Sequence, residues 1–311
     1  MNMNNINQLL GTKYPVIQGG MANIATAKLA AAVSNAGGLG LIGAGGNDAE
    51  WVKEEIQKIR QLTNKPFGVN IMLMSPHAKD IAQLLIDEGV KVVTTGAGNP
   101  VPYMEAWKKA GMIVIPVIPT AKLAMRVEQA GADAVIAEGM EAGGHIGKLT
   151  TMAMVPQIVD AVKIPVIAAG GIGDKRGVLA AFALGAKGVQ IGTILLATKE
   201  CPIHENFKQL VVDATDTSTI ITGSEKAPVR VIKNPMAVKY IDLEKSGASF
   251  EELEHLTLGS LRKAVMEGDV ENGSFMAGQI AGLVKEVKTV KEVLDNMFID
   301  VESYKDTLNI L

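Results

Sequence analysis

The sequence predicts an α/β protein: a (β/α)8 TIM barrel with a smaller helical domain inserted after strand eight. Three observations lead there. Eight short apolar or β-branched runs recur along the first two thirds of the chain, and each is followed by an amphipathic stretch. Gly-rich turns follow six of the eight runs. The pattern changes after about Leu196, where Cys201-Pro202 ends the last unit and charge becomes denser.

The eight runs are Pro15–Gln18, Leu39–Ile42, Phe67–Met72, Val92–Thr95, Ile113–Val117, Ala134–Ala137, Val166–Ala169 and Val189–Ile191. Continuous apolar runs suit strands covered on both faces, as in a parallel sheet. The helical patterns between them are Ala25–Ala36, Ala49–Leu62, Ala78–Glu88, Pro102–Ala110, Ala121–Ala130, Thr151–Val162 and Asp174–Leu184. Alternation of this kind makes each connection a βαβ unit, and eight at even spacing point to closure. An open doubly wound sheet is the competing reading, but it places its Gly-rich fingerprint after the first strand rather than around a ring of loops. The barrel is assigned to residues 1–198 and 276–311, with Ala277–Met297 as its closing helix. Residues 199–275 form the small covering domain, with a long helical pattern at Glu251–Met266.

Composition narrows the function. The chain has 311 residues, 48% of them hydrophobic, enough for a sizeable core. Its 30 basic and 33 acidic residues are interspersed, which argues against a nucleic-acid surface. Met1-Asn2-Met3-Asn4-Asn5 lacks the basic and apolar regions of a signal peptide, and no apolar run is long enough to span a bilayer. A cytoplasmic protein is expected. The single Cys201 agrees with a reducing compartment and has no nucleophile motif around it.

The chemistry belongs at the C-terminal ends of the strands, with a phosphate site in the loops after strands seven and eight. Those loops read Gly170-Gly171-Ile172-Gly173 and Gly192-Thr193. Free N–H groups of Gly-rich turns bind phosphate; the bland alternative is that these glycines only make tight turns. Gln18 and Asn70 stand where the first and third runs meet the mouth, so their amides could face the polar edge of a flat heterocycle or satisfy loop backbone. Strand six runs into Glu138-Gly139-Met140-Glu141-Ala142-Gly143-Gly144-His145. His145, between glycines on a loop, suits proton transfer. Glu138 could bind sugar-like hydroxyls or fix the loop. His77 reads as a helix start, His204 and His255 have no partner pattern, and no metal spacing is present.

These stretches resemble a known family. YPVIQGGMA (14–22), SNAGGLGLIG (34–43), KPFGVNIML (65–73), KVVTTGAGNP (91–100), AEGMEAGGHIG (137–147), IPVIAAGGIGD (164–174), GVQIGT (188–193) and MAGQIAG (276–282) span nearly the whole chain. They resemble the FMN-dependent bacterial enoyl-acyl carrier protein reductases, type II, within the nitronate monooxygenase family, formerly called 2-nitropropane dioxygenases. KVVTTGAGNP and MAGQIAG lean toward the reductase branch.

The resemblance implies one FMN bound by Gly20, Met21, Ala22, Asn70, Glu138, Gly143, Gly144, Gly170, Gly171, Gly192 and Thr193, with His145 as the active-site histidine. It implies NADH or NADPH as co-substrate, a monovalent cation as a candidate accessory, acyl carrier protein bearing an enoyl thioester as partner, and a homodimer. The chain departs from the family at Asn23-Ile24, where close relatives carry an aromatic, and at Ser224–Ala227. Both stretches are candidates for lining the substrate or nicotinamide approach. A nitronate monooxygenase is the nearest rival. A non-redox phosphate-binding barrel is more distant, and the His145 loop argues against an FMN-binding protein without turnover.

Overall fold

The computed structural model describes residues 6–223, 227–299 and 301–308. The N-terminal pentapeptide, the extreme C-terminus of the predicted barrel segment and residues 224–226 of the divergent stretch lie outside the described residues.

The barrel strands are β1 (Val16–Gln18), β2 (Gly40–Gly43), β3 (Phe67–Met72), β4 (Val92–Gly96), β5 (Ile113–Ile118), β6 (Val135–Glu138), β8 (Val166–Ala169) and β9 (Gly188–Ile191). A two-residue strand, β7 (Gly144–His145), intervenes outside the ring. The eight parallel strands run in the order β1-β9-β8-β6-β5-β4-β3-β2. The bridge Ile17↔Leu39 joins the two ends of that order and closes the ring. The β1–β2 ladder then stops, and Gln18 Nε2 takes its place by donating to the Leu41 carbonyl at 2.9 Å. Of the two roles open to Gln18, satisfying backbone is the one observed.

Ile17, Leu39, Leu41, Val92, Ile115, Ile136 and Ile167 fill the barrel axis with Ile6 and Leu10 of α1 (Ile6–Leu10). Ile6 abuts Gly188 where β9 begins, so α1 closes the N-terminal end and leaves the opposite end for chemistry. The outer layer is α2 (Ala27–Ala36), α3 (Ala49–Leu62), α4 (Ala78–Asp87), α5 (Val101–Lys109), α6 (Ala121–Gln129), α7 (Thr151–Ala161), α8 (Lys175–Ala183) and the short α9 (Thr193–Leu196). Local chemistry sets their starts: Asp48, Thr120 and Asp174 accept from the N–H groups of Trp51, Leu123 and Arg176. Helical spacing buries Val52, Ile56 and Ile59 of α3 on one face.

Three expectations need correction. The segment after α9 is not wholly helical. Besides α10 (Glu205–Val212) it contains the hairpin β10 (Thr219–Thr222) and β11 (Val229–Ile232), followed by α11 (Pro235–Lys245), α12 (Phe250–Thr257) and α13 (Ser260–Arg262). Both hairpin strands are rich in β-branched residues, which favour an extended, half-covered surface. The predicted helix at Glu251–Met266 breaks at Gly259, whose φ of +74° ends α12, and finishes in a π turn at Lys263–Glu267.

The closing helix is also interrupted. Gln279–Leu283 forms a 3-10 turn, and α14 (Val290–Phe298) starts afresh from a capping box of Thr289 and Glu292, with α15 (Val301–Thr307) after it. α14 packs on α2 and α8 and completes the outer layer. Phe207, Val211, Ala264 and Phe275 of the inserted segment share one buried cluster with barrel residues.

Candidate active site

A cavity of about 480 Å³ opens at the C-terminal ends of the barrel strands. All twelve residues that the family resemblance implies for cofactor binding or catalysis line it. Gly20, Met21 and Ala22 follow β1, and Asn70 lies on β3. Glu138 ends β6, and Gly143, Gly144 and His145 come from the loop beyond it. Gly170 and Gly171 follow β8, and Gly192 and Thr193 follow β9. Gln18 is not among the lining residues. A wider depression of about 830 Å³ runs along α11, lined by Lys233, Pro235, Val238 and Asp242, but it lies open on the surface and holds none of the twelve.

The turn after β8 has φ of +90° at Gly170 and +76° at Gly171, a left-handed region that side chains other than glycine seldom enter. Among the described residues the N–H groups of Gly171 and Ile172 have no acceptor, and both residues line the cavity. Across from them, Thr193 starts α9, and its hydroxyl accepts from the Gly278 N–H at 2.8 Å. Unpaired amides at a cavity wall, beside a helix start, fit an anionic oxygen group.

Asn70 Oδ1 accepts from the Thr94 hydroxyl at 2.9 Å. The side chain lies so close to the Gly20 backbone that a Cβ there would be 2.3 Å from Asn70 Cγ. Its NH2 end is therefore the part free for a ligand. Glu138 is half-buried and, among the described residues, has no side-chain hydrogen-bond partner; burial pushes its carboxyl up to about 7. His145 is held more firmly than a loop would hold it. As part of β7 it pairs antiparallel with Val229 of β11, and Gly144 pairs with Arg230. Its ring stands on the cavity rim, open to solvent on one side; the protein on the other side lowers its pKa below 6.5.

The Nitronate monooxygenase family model matches residues 4–300 of this chain. The chain belongs to the nitronate monooxygenase family. The solved structure of FabK from Thermotoga maritima is 48% identical with a TM-score of 0.95, the match covering 97% of each chain. A dehydrogenase of Mycobacterium tuberculosis, named for (3aS,4S,5R,7aS)-5-hydroxy-7a-methyl-1-oxo-octahydro-1H-indene-4-carboxyl-CoA, is 31% identical over 98% of both chains. A probable nitronate monooxygenase of Staphylococcus aureus is 33% identical over 98% of this chain and 99% of its own. The names these relatives carry are those of oxidoreductases.

In this family member several cavity residues escape a reading of strand ends alone. Glu141 lines the wall beside Gly171, and its carboxylate accepts from the Thr151 N–H at 2.9 and 3.0 Å and from the Thr151 hydroxyl at 2.9 Å. Gln190 lies on β9, while Met276, Gly278 and Ile280 come from the returning segment and Leu261 from α13. The MAGQIAG stretch carried the signal for the returning segment, but only as a family mark.

Met276 is bridged to Val231 of β11, so one hairpin strand braces both the histidine and the apolar wall opposite. Ile24 lines the cavity, and Asn23 before it holds φ of +61°. His77 precedes α4, and His204 accepts from the Asn206 N–H at the start of α10. Burial pushes the Cys201 thiol up to about 12. Among the described residues no group of histidine, cysteine and acidic side chains could hold a metal ion.

Proposed function

We propose that this chain is an FMN-dependent reductase of trans-2-enoyl-acyl carrier protein that uses NADH or NADPH. The observation that carries the reading is the near full-length likeness to FabK at 48% identity. The reductase-leaning MAGQIAG stretch adds to it, because Met276, Gly278 and Ile280 line the cavity itself. The thioester in the name of the Mycobacterium tuberculosis relative is of the same substrate class.

The residues fit FMN. The unpaired amides of Gly171 and Ile172 suit its phosphate, Glu138 offers an acceptor to its ribityl hydroxyls, and the free NH2 of Asn70 suits the edge of its ring. The cavity volume lies within the roughly 300–1,000 Å³ usual for small-molecule sites. FMN bound there would supply two-electron hydride chemistry between a nicotinamide and the enoyl thioester. Met276, Leu261, Ile24 and Ile280 keep water from the reacting face. His145, on the rim, is the proposed carrier of the proton for the α-carbon, passing it as imidazolium and returning to neutral imidazole.

Acyl carrier protein as the thioester's bearer, a homodimer, a cytoplasmic setting and an accessory monovalent cation belong to the same reading. So does a division into a barrel of residues 1–198 and 276–311 and a substrate-covering domain at 199–275. Among the described residues no helix is long and apolar enough to cross a membrane.

A second reading, oxidation of alkyl nitronates, draws on the family model and on the Staphylococcus aureus relative. An anaerobic experiment separates the two. The FMN-loaded protein is reduced with NADH, crotonoyl-CoA or enoyl-carrier protein is added, and flavin absorbance is followed. Prompt reoxidation without oxygen is expected. If the flavin stays reduced, while an alkyl nitronate drives oxygen consumption without NADH, the monooxygenase reading replaces this one.

A further inference from the structure

The phosphate cradle has an unfavourable neighbour. A Cβ on Gly171 would lie 3.5 Å from Glu141 Cβ and 3.7 Å from Glu141 Oε1, so a carboxylate stands beside the turn whose amides face the cavity. Two anions there repel, and the Thr151 donors that hold Glu141 are neutral. The nearby cation comes from the inserted hairpin. Arg230 on β11 is only 4% exposed. Its Nε donates to the carbonyl of Met140, the residue before Glu141, at 3.0 Å, and its Nη1 donates to the Thr219 hydroxyl at 3.2 Å.

Burial lowers the pKa of the guanidinium, against a smaller opposing effect of the Glu141 carboxylate. A buried guanidinium with two neutral partners has a charge left to be balanced. The contacts run on from there. The Thr151 hydroxyl that meets Glu141 also approaches the Gly170 carbonyl at 3.0 Å, so the hairpin is linked through Met140, Glu141 and Thr151 to the cradle.

We propose that Arg230 is the counter-charge that lets Glu141 stand beside the phosphate cradle, so that the inserted hairpin, and not the barrel alone, sets affinity for the cofactor's phosphate. The inference rests on the FMN reading above. Arg230 acts through Glu141 and the Met140 carbonyl and is a positioning residue.

The test is a fluorescence-quenching titration of the flavin-stripped full chain with FMN and, separately, with riboflavin, which lacks the phosphate. Wild type, Arg230→Met, Arg230→Lys, Glu141→Gln and the Arg230→Met/Glu141→Gln double variant are compared, with thermal melts to verify folding. Arg230→Met is expected to weaken FMN binding about 10- to 100-fold, the scale of coupled neighbouring charges. Riboflavin binding should change less than about threefold, because no phosphate charge is at stake. Arg230→Lys should retain most of the FMN affinity, and the double variant should recover most of what Arg230→Met loses. Equal losses for FMN and riboflavin, or no recovery in the double variant, would overturn the proposal by reducing Arg230 to a structural strut. A wild type that binds riboflavin as tightly as FMN would instead remove the phosphate cradle itself, and the proposal with it.

Discussion

Gly143 offers a sharp test of how the site is assembled. Its φ is not in the left-handed region, so the backbone conformation alone would accept alanine. Space would not. A Cβ at Gly143 would lie 2.6 Å from the Ala277 carbonyl carbon, 2.7 Å from Ala277 Cα and 2.7 Å from the Gly278 nitrogen. All three are backbone atoms, so no side chain can swing aside. Reaching ordinary contact at 3.4 Å requires the loop after β6 and the returning segment to separate by the better part of an ångström. That movement would strain two hydrogen bonds: Gln279 N–H to the Glu141 carbonyl at 2.9 Å, and Gly278 N–H to the Thr193 hydroxyl at 2.8 Å.

Overpacking costs ~1–3 kcal/mol and each strained hydrogen bond ~0.5–1.5 kcal/mol, so Gly143→Ala should lose about 2–4 kcal/mol after relaxation. For a chain of this size that lowers Tm by about 3–6 °C. Gly46→Ala is the control, because nothing lies within 4 Å of its added Cβ. Differential scanning calorimetry of the flavin-stripped protein reads the difference. FMN affinity should fall too, since Gly143, Gly278 and Thr193 all line the cavity. If Gly143→Ala melts within a degree of Gly46→Ala, the two segments are not in the close contact described and the reasoning fails.

Two further outcomes follow from the titratable groups. His145→Ala should keep FMN and fold but lose ~10²–10⁴-fold in enoyl turnover if the imidazole passes the proton. A rise in KM at constant kcat would assign it to substrate positioning instead. Because burial lowers its pKa, a step that needs the imidazolium should fade as pH rises through a value below 6.5, whereas a step that needs neutral imidazole should be flat from pH 7 to 8. Kinetics of the wild type and the variant across that range decide. Glu138, raised from 4.5 to about 7, holds a proton in the folded protein that the unfolded chain has already released. Stability of the flavin-stripped protein should therefore be highest below pH 4.5 with respect to this group and decline as pH rises to 7, by up to about 3 kcal/mol. Glu138→Gln should remove that decline in Tm-versus-pH scans; an unchanged slope would mean the carboxyl is solvated.

The eight βα units and the positions of their chemistry are written locally. Short apolar runs, capping residues such as Asp48 and Thr120, and the glycines after β8 specify their own neighbourhoods, so they can be read from a few residues at a time. Because parallel strands in a closed ring all end on one side, their position at strand ends is enough to gather Asn70, Glu138, Gly171 and Thr193 into one cavity. What lies beyond the ring depends on contacts between segments far apart in the chain. The pairing of His145 with Val229, the bridge of Met276 to Val231, and Arg230 on the Met140 carbonyl leave no periodic trace in any one stretch, because each partner's position is fixed by the packing of the other. Gln18 shows the same limit in the opposite direction. Its place at a strand end made it a candidate ligand, and only closure of the barrel, which leaves the Leu41 carbonyl without a ladder partner, turns its amide inward to the seam.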